Sequence, residues 1–407
     1  MLYSIEDIRY LETAFSRFYD IGAADSGGVT RLGYSREEDE MHALFALMGE
    51  ELGLEVLHDQ AGNTFLSNTK EGEDYYLIGS HLDSVVDGGR YDGVAGILAG
   101  LLVMRWLKRD GRLIPARIGA FRCEESSGFG ISTLGSSLVT GGHRDEGLSA
   151  RAGRDGGTLG EIFAEKRFTL NPEPIKGVRR YLELHIEQGR ILQDRGQHIG
   201  IVSAIAGPRR FNLYLQGKAE HSGATPMTMR HDALCAAAEL ILEIERIGRD
   251  ESPRNSVATV GTLSVSPNAI NVIPGEARLQ VDIRGVETAS LDEMERRIKE
   301  AGKSISQRRG IGFLKENISD QPPVSLSLAM LEKMDKIVSS LGISRLRMIS
   351  GAGHDAMQFA KLCDTALIFI PCRDGVSHNK NEYASIEHIC EGAGVLYSYL
   401  CEECNEL

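Results

Sequence analysis

The stretch GSHLDSVVDGGRYDGVAG sets His81, Asp83, Asp87 and Asp92 between an apolar run that begins at Tyr76 and another that ends at Leu107. Uncompensated charge between two buried elements is costly, and a metal ion is the obvious compensation. FRCEESSGFG ends a further apolar segment in Glu124 and Glu125. Adjacent side chains at a strand end can face different ways, so one glutamate can ligate metal while the other stands free as a general base. YLELHIEQGRIL carries His185, and PCRDGVSHNKNEY carries His378 soon after the apolar ALIFIP. Two carboxylates and three histidines, each near the end of a predicted strand, suit Zn²⁺ or Mn²⁺. Five such ligands are one too many for a tetrahedral zinc site, so two metals sharing a carboxylate fit better. Each residue alone also has a plainer reading. Asp92 can cap a helix, the glutamates can form a solvated acidic loop, and each histidine can be structural.

These residues need elements to hold them. Tyr76–Ser80 and Ala116–Cys123 read as strands, and Val94–Lys108 has helical periodicity. That alternation predicts an α/β sheet with functional residues at strand ends. The middle of the chain reads differently. Arg209–Gly217, Val257–Val265, Glu276–Arg284 and Gly310–Glu316 read as strands, with helices at Arg230–Ile247 and Ser290–Gln307 and NVIPG as a turn. β-α-β-β-α-β is the ferredoxin-like pattern. After QPP the chain returns to helices around a strand, Ala366–Pro371, and ends in a helix from about Ser385. The expected organisation is therefore an α/β domain over residues 1–207 and 321–407, interrupted by a ferredoxin-like α+β insert over 208–320.

With 407 residues, 42% hydrophobic and 25% charged, the chain has the composition of an ordinary globular protein. A net charge of −13 argues against a nucleic-acid partner. No apolar run reaches the length of a membrane span, and the acidic MLYSIEDIRYLETAF is not patterned as a signal peptide, so no membrane role and a cytoplasmic location are expected. Seven dispersed cysteines do not suggest a disulfide framework, and Cys401 and Cys404 of the terminal CEEC read as free thiols on a helix.

GSHLDSV…GGRYDGVAG, EE…F, ELHIEQG, AEHSGATPM, NVIPG, SGAGHDA and GVSHNKNEY follow one another in the order found in the M20-type metallopeptidases. They resemble most its amidase/hydantoinase/carbamoylase branch, over about residues 10–400. The resemblance implies an aminopeptidase-like two-metal catalytic domain with an inserted lid/dimerisation domain. It implies that His81, Asp92, Glu125, His185 and His378 bind two divalent ions (Zn²⁺ or Mn²⁺, with Co²⁺ or Ni²⁺ as alternatives), Asp92 bridging. Glu124 would be the general base and Asp83 would orient His81. His221 would donate to the oxyanion, Asn271 and Arg284 would hold a substrate carboxylate, and Gln188 and His354 would line the pocket. His42, His58, His143, His198, His231 and His388 match no such motif, and Asp87 is left to the loop.

The branch follows its glutamate pair with Gly-x-Arg-Phe, whereas EESSGF has Gly128 in place of the arginine. The implied ligands are untouched, but a cation beside the site is gone, which bears on substrate identity. The expected function is hydrolysis of a linear, non-peptide C–N bond in a small carboxylate by a homodimer. An N-carbamoyl-L-amino acid is the first choice and allantoate the second. An aminoacylase or dipeptidase, or a catalytically silent binding protein on the same fold, are the competing readings.

Overall fold

A computed structural model describes residues 3–142, 147–154 and 156–405. His143, which matches no motif, lies outside them. The chain divides into two compact units, Met1–Ser203 with Leu326–Leu407, and Ala204–Ser325.

The first unit is built on a mixed sheet. Its strands run in the spatial order Glu55–His58, Thr64–Ser67, Ala116–Phe121, Tyr75–His81, Val178–Ile186, Asp364–Ile370 and Ile199–Ile205. The four from Ala116–Phe121 to Asp364–Ile370 are mutually parallel, and the flanking pairs are antiparallel. Parallel strands are buried on both faces, and Tyr75–His81 is buried at every position. Helix Val94–Arg109 is apolar almost all round because it lies inside the core between sheet and neighbouring helices, with Ile97, Leu101 and Trp106 fully buried. Gly96 lets it approach the sheet, since a Cβ there would fall 2.3 Å from the Leu184 carbonyl oxygen.

Registers in the parallel core align the strand ends: His81 pairs with Phe121, and His185 with Phe369. The segments that follow these ends therefore emerge on one edge of the sheet, where open α/β sheets place their ligands. The strand expected to run to Cys123 stops at Phe121, because Cys123 turns into the left-handed region at φ 53°.

The second unit has strands Gly207–Gln216, Val257–Ser266, Glu276–Gly285 and Gly312–Asp320, with helices Ala233–Glu251 and Thr288–Arg309. The spatial order is 312–320, 207–216, 276–285, 257–266, with every neighbouring pair antiparallel. Period-2 alternation buries Leu279, Val281 and Ile283 against Leu240, Ile244, Met294 and Ile298 of the helices. NVIPG is more than a turn. Val272–Ile273 pairs with Glu220–His221 as a short antiparallel ribbon, and Ser222 N–H donates to the Asn271 carbonyl. His221 and Asn271, 50 positions apart by number, thus become neighbours. Among the described residues no helix is long and apolar enough to cross a membrane.

Candidate metal centre

Five of the strand-end residues meet in the first unit around the carboxylate of Asp92. Gly93, which opens helix Val94–Arg109 at φ 66°, permits the approach: a Cβ on it would lie 2.5–2.7 Å from the His81 carbonyl and ring. Asp92 Oδ1 lies 3.0 Å from His185 Nε2 and 3.7 Å from His81 Nε2. Asp92 Oδ2 lies 3.2 Å from His378 Nε2, which is also 3.0 Å from Glu125 Oε1. Two ligand groups result, His81–Asp92–His185 and Asp92–Glu125–His378, each with its donor atoms within 4.8 Å of one another. They share Asp92, one carboxylate oxygen facing each.

Three features fit these residues to metal. Asp92 Oδ1 is buried and, among the described residues, accepts no hydrogen bond despite its two imidazole neighbours. The Nε2 atoms of His81 and His185 stand 3.5 Å apart, an arrangement suited to a shared cation. The electrostatics point the same way. Burial alone would raise the Asp92 carboxyl, but His185, His378 and His81 outweigh it and hold the group well below the usual range. In return, the hydrogen bonds it donates to Asp92 and Glu125 push His378 up to about 11. The carboxylates thus demand positive charge, which a divalent ion supplies in exchange for imidazole protons.

Asp83 is the joint of the cluster. Its Oδ1 is 3.3 Å from His81 Nδ1, and its two oxygens accept the backbone N–H groups of Glu124 and Glu125 at 3.1 and 3.0 Å. One carboxylate therefore orients a ring and anchors the glutamate pair. Glu124 is buried, which raises its carboxyl well above the ordinary range; His81 opposes the shift, while Glu125, Asp355 and Asp83 add to it. Gln188, at φ 57°, directs its amide nitrogen to Asp92 Oδ2 at 3.0 Å and lies 3.4 Å from His378 Nε2.

His354 lies beside His185. It is 1% exposed, meets the His185 ring edge-on at 4.5 Å between centroids, and shares a 2.8 Å hydrogen bond with the Ser350 hydroxyl. That placement backs the His185 ring.

Residues with no role assigned from sequence complete the frame. Glu382 accepts from the backbone N–H groups of Tyr91 and Asp92 at 2.8 and 3.0 Å. The Ser377 hydroxyl lies within hydrogen-bond distance of both Asp92 Oδ2 and Glu382 Oε2, at 3.2 and 3.0 Å. Beneath the glutamate pair, Arg122 pairs with Glu38 and Asp39 at 3.0 and 2.7 Å, and Glu38 accepts from Cys123 N–H at 2.8 Å. Glu38 follows Ser35 at the start of helix Arg36–Leu52, where its sequence position reads as ordinary capping chemistry. Glu382 stands inside GVSHNKNEY, the signal that could have found it. Asp87 has a structural place, since Ser26 Oγ donates to its carboxylate and its own N–H donates to Thr30 Oγ1, tying the metal-side loop to the 22–30 segment.

In the second unit, His221 is exposed, and its Nδ1 accepts from Gly223 and Ala224 N–H at 3.0 and 3.3 Å. Nδ1 is thereby used as an acceptor, so the ring proton sits on Nε2. Arg284 forks onto Asp282 through Nε and Nη2 at 3.2 and 3.0 Å, and Arg210 bonds to the same carboxylate. At Gly128, in the first unit, an added Cβ would make ordinary van der Waals contact with the Gly33 backbone, its N at 3.7 Å.

The chain matches peptidase family M20/M25/M40 over residues 77–402. It is 37% identical over 391 residues to an N-carbamoyl-L-amino acid amidohydrolase of Geobacillus stearothermophilus, covering 93% of this chain and 94% of that one. It is 33% identical over 383 residues to the allantoate amidohydrolase of Escherichia coli, covering 92% and 93%. A crystal structure of a hydantoinase/carbamoylase-family amidase from Burkholderia multivorans superposes with a TM-score of 0.89 at 33% identity, over 97% of each chain. On these grounds the chain belongs to peptidase family M20/M25/M40, in the branch of hydantoinase/carbamoylase-type amidohydrolases.

Proposed function

We propose that this protein is a two-metal amidohydrolase that cleaves a linear, non-peptide C–N bond of a small carboxylate, with N-carbamoyl-L-amino acids as its substrates. The products would be the amino acid, CO₂ and ammonia. The observation that carries the reading is the Asp92 carboxylate, with one oxygen turned to His81 and His185 and the other to His378 beside Glu125. His81, Asp92 and His185 would hold one divalent ion, and Asp92, Glu125 and His378 the other. When bound, Zn²⁺ or Mn²⁺ ions at such a centre polarise the carbonyl and ease deprotonation of water near neutral pH.

The protein's own part begins with Glu124, which takes the proton of the attacking water and later gives it to the leaving nitrogen. A buried carboxyl with a raised proton affinity suits a group that must hold that proton between the two steps. Asp83 fixes the base by its backbone while holding the His81 ring, so base and ligand move as one body. The unit 204–325 is assigned the role of lid and dimerisation domain of a homodimer, supplying His221 from its own chain or its partner. His221 Nε2–H then donates to the developing oxyanion. The substrate carboxylate binds at Arg284 and Asn271. Because Arg284 already forks onto Asp282, the substrate joins or displaces an existing ion pair. Accordingly, Arg284→Ala should raise KM for carboxylate substrates by about 10–100-fold, the worth of one charged hydrogen bond, with a smaller change in kcat. An unchanged KM in steady-state kinetics would place the acid elsewhere.

Allantoate is the second substrate considered, supported by the 33% identity to the Escherichia coli allantoate amidohydrolase. An ammonia-release screen of metal-loaded enzyme on carbamoyl-, formyl- and acetyl-amino acids, allantoate and dipeptides decides between them. Turnover is expected with the carbamoyl-amino acids. Activity confined to dipeptides or acetyl-amino acids would reject the proposed bond type.

A further inference from the structure

A second group of metal-type donors lies in the first unit and shares no residue with the Asp92 cluster. His198 enters the strand Ile199–Ile205, while His388 and Glu391 lie in the first turns of helix Ile386–Asn405. Three positions apart on a helix, His388 and Glu391 share a face. His198 Nδ1 is 2.8 Å from Glu391 Oε2, and the His198 and His388 rings meet edge-on with centroids 4.7 Å apart. One donor atom from each of the three lies within 4.8 Å of the others. His388 and Glu391 are half-buried and His198 is exposed, and His198 and Glu391 line a cavity of about 700 Å³ together with Tyr3, Ser344 and Cys390.

We propose that His198, His388 and Glu391 form a further divalent-metal site, of the kind that takes Zn²⁺. Two imidazoles and one carboxylate are a common zinc donor set, and the fourth position opens to the cavity for water. Bonds of about 2.0–2.2 Å in a tetrahedron set the donors roughly 3.3 Å apart, so the His198–Glu391 contact opens slightly from 2.8 Å while His388 turns toward it. An ion pair explains His198 with Glu391 but not the approach of His388, since two adjacent imidazoles resist sharing positive charge as protons. A metal resolves this by binding both rings in their neutral forms. Burial lowers the proton affinity of His388 and His198 lowers it further, which leaves a ring lone pair available; Glu391 and Glu387 add negative charge. An ion here would tie the C-terminal helix to the segment entering the strand at Ile199.

The test compares wild-type holoenzyme with H198Q and H388Q, both at partly exposed positions, and with E391Q as a third variant should either fold poorly. Each is equilibrated with buffered free Zn²⁺ and its metal content measured. Wild type should hold one Zn²⁺ per chain more than each folded variant, with turnover unchanged in all. In a separate sample loaded with only the two Zn²⁺ of the Asp92 centre, Co²⁺ added last should give the intense visible absorption of a tetrahedral centre in wild type only. Equal metal content in wild type and variants, or a cobalt spectrum that survives the substitutions, overturns the proposal.

Discussion

Glu124→Gln is expected to leave metal content unchanged and to lower kcat by about 10²–10⁴-fold, the usual contribution of a positioned general base. The substitution is nearly isosteric, and the two backbone hydrogen bonds from Glu124 and Glu125 to Asp83 do not involve the side chain it changes. The amide accepts no proton, so water activation and protonation of the leaving nitrogen are lost together. KM should change little, because the assigned substrate contacts lie on other residues. Metal analysis reads the first outcome and steady-state kinetics the other two, while a thermal melt checks that the fold is intact. Full activity in the variant would remove Glu124 as the base, whereas lost metal would mean that it serves as a ligand.

Asp92→Asn should go further and abolish both binding and turnover. Asp92 faces both ligand groups, and its Oδ1 and Oδ2 are turned to different imidazoles. An amide removes the charge and offers N–H where one of those contacts needs an acceptor. Loss of a partner outside the direct ligands already costs metal sites about 10–100-fold in affinity, so loss of a ligand shared by both groups should exceed ~100-fold. The fold should persist, because the backbone N–H groups of Tyr91 and Asp92 remain bonded to Glu382. Glu382 itself is pushed up to about 7, by burial first and by the Asp92 charge second, and the second influence disappears in the variant. Metal affinity by competition with a chelator, alongside activity, measures the outcome; retention of wild-type affinity would disprove the bridging role.

Much of the candidate site could be read from the chain because its donors follow apolar strands closely. His81 ends one strand, and Glu124 lies three residues beyond Phe121. His185 is the penultimate residue of Val178–Ile186. Each thus carries a local signal, a polar donor at the close of a buried run. The frame around them carries none. Glu38 looks like a first-turn helix residue, and nothing near Arg122 announces that the two will form a buried pair under the glutamates. The register of NVIPG with Glu220–His221 was equally invisible, since a two-residue ribbon is too short for alternation to mark it.

Residue types and spacing alone determined which atoms could bind metal, which segments would form buried strands, and that a β-α-β-β-α-β stretch interrupts the α/β part. Those properties are local, set by side-chain chemistry and by hydrophobic period. Only the tertiary structure decided that Asp92 turns one oxygen to each histidine group, that Asp83 holds ring and glutamates together, and that His354 backs His185. It also decided that Arg284 already grips Asp282, and that His198 and His388, without motif in the sequence, meet at Glu391. The physical reason is that such contacts depend on strand register and on which loop crosses which. They are set by packing between residues as much as 291 positions apart, as for Glu382 with Tyr91.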